Sequence, residues 1–146
     1  MNVLPIEPRH LACCAHLFMT VFNEAPWNEA WSLPAALARL QEIANTPGFY
    51  GIAADDDAEI LGFAMGYAEH WHDTSHFYLK EMCVAPRCQR TGIGRTLVQT
   101  LSRDLGAMNV EKIYLLTVRD GPAEAFYTRC GFYSSPKMIM MAKYLP

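Results

Sequence analysis

Gln89-Arg90-Thr91-Gly92-Ile93-Gly94-Arg95-Thr96 is the stretch on which the reading of this chain turns. Before it stands an apolar, β-rich run, Phe77-Tyr78-Leu79-Lys80-Glu81-Met82-Cys83-Val84. Beyond it Ile93, Leu97, Val98, Leu101 and Leu105 fall at helical spacing on one stripe. The order is therefore strand, proline-containing loop, glycine turn, helix. A helix start presents unpaired backbone N–H groups and the positive end of its dipole. Glycine there lets the backbone approach a ligand with no Cβ in the way. Such a turn suits a phosphate.

Three phosphate motifs compete for the turn. A Walker loop needs a lysine after its last glycine, and Arg95 follows Gly94. A dinucleotide fingerprint needs a third glycine where Leu97 stands, and it opens a first βαβ unit, whereas this turn lies in the second half of the chain. What remains is Gln/Arg-x-x-Gly-x-Gly/Ala after a strand ending in Val-x-Pro. The block Met82-Cys83-Val84-Ala85-Pro86-Arg87-Cys88-Gln89-Arg90-Thr91-Gly92-Ile93-Gly94 resembles the GNAT family of acyl-CoA-dependent N-acetyltransferases. A tight turn without a ligand is the bland alternative.

At 146 residues the chain suits one domain, 1–146, with a single core. Half of it is hydrophobic (51%), charged residues make up 18% and the net charge is −3, so no basic surface suggests nucleic-acid binding. No apolar run has the length of a membrane span. Pro5, Glu7 and Pro8 are unlike a signal peptide, and five cysteines without a C-x-x-C pair read as reduced thiols. A cytoplasmic protein is expected, with no membrane partner and no metal.

Asn2-Val3-Leu4 reads as a short strand, and Pro8 opens a helix with Leu11, Cys14, Ala15, Phe18, Val21 and Phe22 on one face. After a loop carrying Trp27 and Trp31, Ser32 caps a second helix. Phe49–Ala54 and Ile60–His70 read as strands around Asp55-Asp56-Asp57. Gly62, Ala64 and Gly66 weaken the second strand but permit a bulge or a close approach. The three aspartates read as a solvated hairpin tip, because no spaced carboxylate or histidine completes a cation site. His72 and His76, in the connection Trp71–His76, lack the further ligands zinc needs.

Lys112–Val118 is an almost continuous apolar run, as in a strand buried on both faces. Asp120-Gly121-Pro122 starts a last helix with Ala123, Phe126, Tyr127 and Cys130 on one face, stopped by Gly131. Phe132-Tyr133 and Lys137–Tyr144 are expected as two closing strands. These elements predict an α/β fold, a mixed sheet flanked by helices on both faces, with Phe77–Val84 and Lys112–Val118 parallel.

The resemblance implies more. In that family the two parallel strands splay apart, and the gap holds the pantetheine arm and the acceptor. On this reading acetyl-CoA is the co-substrate. Its diphosphate is expected against Gln89, Arg90, Thr91, Gly92, Ile93, Gly94, Arg95 and Thr96, and its pantetheine against the backbone of Cys83, Val84 and Ala85. A main-chain N–H near Val84 would polarise the thioester carbonyl. Ala123-x-x-Phe126-Tyr127-x-x-x-Gly131-Phe132 is similar to the family's second motif, in which the tyrosine protonates the departing thiolate. A half-buried structural aromatic is the alternative for Tyr127.

Glu81, on the cofactor strand, is the candidate base for the acceptor's ammonium, with His70 and His72 next in line. Trp27, Trp31 and Trp71 are candidate walls for an acceptor, with core packing as their alternative. The expected reaction is acetylation of a primary amine on a small molecule such as an aminoglycoside, polyamine or amino-acid derivative. Acetylation of a protein N-terminus or lysine, and a non-catalytic acyl-CoA-binding module, are the alternatives. A homodimer through the last strands is a further possibility.

Overall fold

The computed structural model describes residues 1–146. They divide into two units, Met1–Tyr114 and Leu115–Pro146. In the first, strands β1 (Asn2–Pro5), β2 (Phe49–Asp55), β3 (Ile60–Trp71), β4 (Thr74–Val84) and β5 (Val110–Tyr114) form one sheet in the order β1-β2-β3-β4-β5. The first three pairings are antiparallel, and β4 and β5 run parallel. Helices α1 (Leu11–Phe22) and α2 (Leu33–Ala44) connect β1 to β2, and α3 (Ile93–Ala107) makes the crossover between the parallel strands.

The helices form where sequence and burial agree. On α1, Leu11, Cys14, Ala15, Phe18 and Val21 are buried at helical spacing. Ser32 caps α2, its hydroxyl accepting from the Ala35 N–H at 3.2 Å. These helices share a core with Phe63, Met65 and Cys83 of the sheet. The opposite pleat carries Gly62 and Gly66, and α3 covers it. A Cβ on Gly62 would lie 3.2 Å from Leu97, and the hydroxyl of Tyr50, paired with Gly66, donates to Asp104 of α3 at 2.7 Å. Ile93, Leu97, Val98, Leu101 and Leu105 are all buried. Full burial of each large apolar side chain contributes about 1.5–3 kcal/mol, which fixes the start of α3 as well as its middle.

One irregularity matters for the site. Met65 pairs with Glu81, and Gly66 with Leu79, so Lys80 is the extra residue of a β-bulge. The bulge changes the parity of β4. Tyr78 and Glu81, three residues apart, both come to the α1/α2 face with their partners Tyr67 and Met65. Gly66 is required beside it, because a Cβ there would stand 1.9 Å from the Tyr78 carbonyl oxygen. The hairpin itself is tighter than its sequence suggests. Trp71 pairs with Thr74 across a two-residue turn, and β4 begins three residues before Phe77.

The second unit contains α4 (Pro122–Arg129), with Pro122 in its first turn. The Cys130 N–H donates to Phe126 O at 3.1 Å, and Gly131 follows in the left-handed region at φ 94°, ending the helix as expected. Here the sequence expectation needs correction. The strand expected over Lys112–Val118 ends at Tyr114, with Leu116 and Val118 60% exposed. Phe132-Tyr133 and Lys137–Tyr144 form no strand. A strand is defined by its partner's hydrogen bonds, and an apolar run alone does not supply one.

Candidate active site

The loop after β4 is shaped by its own backbone. Pro86–Cys88 makes one 3-10 turn, with the Cys88 N–H donating to Ala85 O at 2.8 Å. Arg90 turns left-handed at φ 63°, and the Thr91 hydroxyl donates back to Cys88 O. Gly92 occupies the N-cap of α3 at φ 93°, a conformation that side chains rarely adopt. No side chain caps this helix start. Gln89, Arg90, Thr91, Gly92 and Arg95 are exposed, Gly94 and Thr96 half-buried, and Ile93 is turned into the core. Ile93 therefore offers a ligand only its backbone. Arg90 and Arg95 enter none of the five ion pairs, whereas Arg87 is held by Glu59. Exposed N–H groups with two uncommitted guanidiniums form a fitting cradle for a diphosphate.

The adjoining strand has an open edge. Pairing of β4 with β5 runs from Ser75 to Tyr78 and stops there, so Leu79–Val84 has a strand partner only on the β3 side. The Ala85 N–H donates to Leu61 O at 2.7 Å, towards β3. Backbone polar groups alternate in direction along a strand, so those of Val84 point away from β3, and those of Met82 do too. This corrects the expectation for Cys83 and Ala85. The Cys83 carbonyl faces Gly62, and the Ala85 N–H is already committed. Val84 keeps its N–H on the open edge, while its carbonyl accepts the Gln89 side-chain amide at 3.2 Å. Met82 has the same orientation and escaped the sequence reading, because only the register reveals it. Burial pushes the Cys83 thiol well above its ordinary value and that of Cys14 to about 12, so both are inert.

Glu81 lies on the α1/α2 face, its side chain 11% exposed. Arg39 Nε of α2 donates to Glu81 Oε1 at 2.6 Å. Burial raises the Glu81 pKa above the usual carboxylate value, outweighing the hydrogen bond and charge of Arg39 and the charge of Lys80. The result is a desolvated carboxyl held by a cation.

Beside it runs a row of tyrosines. Tyr67 pairs with Tyr78 and Tyr78 with Tyr114, one ring from each of three neighbouring strands. The Tyr78 and Tyr114 rings stack at 4.6 Å, and Tyr67 lies 5.9 Å from Tyr78. Lys80 Nζ sits 4.7 Å above the Tyr78 ring, and the Tyr114 hydroxyl donates to Glu69. All three rings are half-buried. Their aromatic faces accept a cation, as Lys80 demonstrates. The row was not anticipated, although Met65-x-Tyr67-x-Glu69-x-Trp71 alternates along one strand.

The expected tryptophans have separate surroundings. Trp31 packs on Phe18 at the core, with Nε1 donating to Glu29 at 2.8 Å. Trp27 lies against Phe22. Trp71 is at the far end of β3, stacked on His76 at 4.8 Å and 52% exposed. His70 and His72 are exposed at the hairpin end, with the pairs Tyr67–Tyr78 and Glu69–His76 between them and Glu81. In the second unit Tyr127 is half-buried, its ring in edge contacts with Phe126 at 5.2 Å and Phe132 at 5.4 Å. No group of three or more His, Cys, Asp or Glu is placed to hold a metal ion, and no helix is long and apolar enough to cross a membrane.

The site thus combines an uncapped glycine turn with a strand that has one open edge. The chain belongs to the acetyltransferase (GNAT) family, whose model matches residues 15–132 and so reaches into both units. Solved structures agree on the fold. An aminoglycoside acetyltransferase from an uncultured soil metagenomic sample, in complex with sisomicin, is 18% identical at a TM-score of 0.77, covering 99% of this chain and 95% of that one. An aminoglycoside N-acetyltransferase in complex with CoA is 15% identical at 0.74, covering 99% and 100%. An integron cassette protein from the mobile metagenome of V. cholerae is 19% identical at 0.82, covering 98% and 91%. No curated protein matches the sequence.

Proposed function

We propose that this protein transfers the acetyl group of acetyl-CoA to a primary amine of a small molecule by direct attack. The observation that carries this reading is the uncapped glycine turn of α3 next to the open edge of Leu79–Val84. The turn receives the diphosphate, and Arg90 and Arg95 add positive charge. Pantetheine amides pair along the edge at Val84 and Met82 as an added strand would. The Val84 N–H donates to the thioester oxygen and stabilises the oxyanion that develops on it.

Glu81 takes the proton of the incoming ammonium, directly or through one water. The free amine attacks the carbonyl carbon, the tetrahedral intermediate collapses, and the C–S bond breaks with its electron pair on sulfur, while the nitrogen releases its second proton to solvent, from which Tyr127 is later reprotonated. Tyr127 gives that thiolate a proton, a role resting on the motif from Ala123 to Phe132. The tyrosine row Tyr67, Tyr78 and Tyr114 is the wall for the acceptor, with Trp27, Trp31 and Trp71 at greater remove. Aminoglycosides, polyamines and amino-acid-like amines are the acceptor classes, supported by solved neighbours described as aminoglycoside acetyltransferases.

Incubating the protein with acetyl-CoA and a panel of these amines, and weighing the products by mass spectrometry, tests the proposal. A mass gain of one acetyl group on an amine is expected. Tight acetyl-CoA binding with no transfer to any small amine, N-terminal peptide or lysine peptide would make the protein an acyl-CoA-binding module instead.

A further inference from the structure

We infer that Arg39 is a positioning residue of the acceptor site, holding the Glu81 carboxylate by one oxygen and leaving the other to the acceptor's ammonium. The inference rests on the reading of Glu81 as the base. Three observations carry it. First, α2 is anchored by its cap at Ser32 and by Ala36, Leu40 and Ile43, all buried, so Arg39 is delivered from a fixed helix. Second, its Nε meets Oε1 at 2.6 Å, while Oε2 receives no hydrogen bond from the protein. Third, Glu81 is far less exposed than Arg39, at 11% against 35%. The carboxylate is the confined partner, and the guanidinium reaches in from the rim.

A confined carboxylate without a cation takes up a proton and loses its orientation. The groups that face Glu81 are Arg39 from α2, Lys80 and Tyr78 on its own strand, Cys83 two residues on, and Glu29 from the loop between α1 and α2. Lys80 is placed over the Tyr78 ring, so Arg39 is the cation bonded to the carboxylate. It favours the ionised form of Glu81 and fixes its orientation until an ammonium arrives. After that proton moves to Glu81, the same guanidinium favours its loss to solvent, which resets the site. The bulge at Lys80 completes the arrangement by turning Glu81 towards α2.

The test is a titration of full-length protein carrying ¹³C at the glutamate carboxyl, with Glu81→Gln identifying the Glu81 signal. Arg39→Gln is expected to raise the Glu81 pKa, lower kcat/KM roughly tenfold through misplacement, and leave acetyl-CoA affinity unchanged. The acid limb of the pH–rate profile for the best amine should move up with it. Arg39→Lys keeps the charge without the guanidinium fork, so it should shift the titration in the same direction by less. That variant decides the matter if Arg39→Gln does not fold. A Glu81 titration that stays in place in a folded variant overturns the proposal. A titration that moves while the acid limb stays put removes Glu81 from the reaction, and the failure then belongs to the base assignment.

Discussion

The two halves of β4 have the same backbone and opposite occupations. Thr74–Tyr78 is paired on both edges over most of its length and buries His76 and Phe77. Leu79–Val84 is paired on one edge and carries the desolvated carboxyl and the backbone groups proposed for acetyl-CoA. Near their junction lie the bulge residue Lys80 and Gly66, which pairs with Leu79. A strand fully committed to its neighbours has nothing left for a ligand. The half proposed to bind is the half that the sheet leaves unpaired on one edge.

The most severe way to break this comparison is at the junction. Gly66→Ala places a Cβ 1.9 Å from the Tyr78 carbonyl oxygen, which is backbone and cannot rotate away. We expect a loss of at least about 3 kcal/mol, the upper range for overpacking, and a melting temperature lower by about 10 °C. Thermal unfolding followed by circular dichroism measures it. A variant that melts with the wild type would mean that the two halves are not locked together at the bulge.

Next in size is an attack on the ligand side that spares the fold. Gly94→Asp puts a carboxylate in the first turn of α3, where the helix dipole favours it by about 0.3–1 kcal/mol. The protein should stay folded while the diphosphate is repelled, and calorimetry should find acetyl-CoA binding abolished. Unchanged affinity would remove the cradle from the proposal. Tyr127→Phe acts later. It keeps the ring contacts with Phe126 and Phe132 and removes only the hydroxyl, so affinity should hold while turnover falls by roughly a hundredfold. Near wild-type turnover would mean that water protonates the thiolate.

These variants also divide what the sequence made legible from what it hid. The glycine turn, the buried stripe of α3 and the Ser32 cap depend on residues a few positions apart, and each was readable from spacing. The bulge at Lys80, the row Tyr67–Tyr78–Tyr114 and the reach of Arg39 to Glu81 depend on register between segments far apart in the chain. No local pattern encodes them. Glu81 drew attention because it lies on the strand before the glycine turn, yet its partner Arg39 looks like any helix-surface arginine. The apolar run through Val118 misled for the same reason: it promised a buried strand, but the strand ends where β4 no longer pairs with it.

Glu81→Gln is a milder change than losing the tyrosine hydroxyl, because high pH compensates for it. Glutamine retains the shape but accepts no proton, so turnover at neutral pH should fall and recover partly where the free amine is abundant. The wild-type acid limb should lie above the ordinary carboxylate range, since burial raises the Glu81 pKa. Superimposable pH–rate profiles for the two proteins would clear Glu81.

The smallest effect decides which force governs Glu81. Burial raises its pKa, and Arg39 lowers it. With burial ahead, the native protein holds this proton to higher pH than the unfolded chain, whose carboxyl titrates near the ordinary value of 4.5. The contribution is fully present below the unfolded value and is lost as pH rises through the folded one. Denaturant unfolding of the wild type and Glu81→Gln should therefore be compared across that window. Carboxylates such as Asp104, with a lowered pKa, titrate in both proteins and cancel in the difference. The stability of the wild type relative to Glu81→Gln should decline with rising pH. A relative stability that climbs instead would mean that the Arg39 pair outweighs desolvation, and that the open half of β4 is as well satisfied as the paired half.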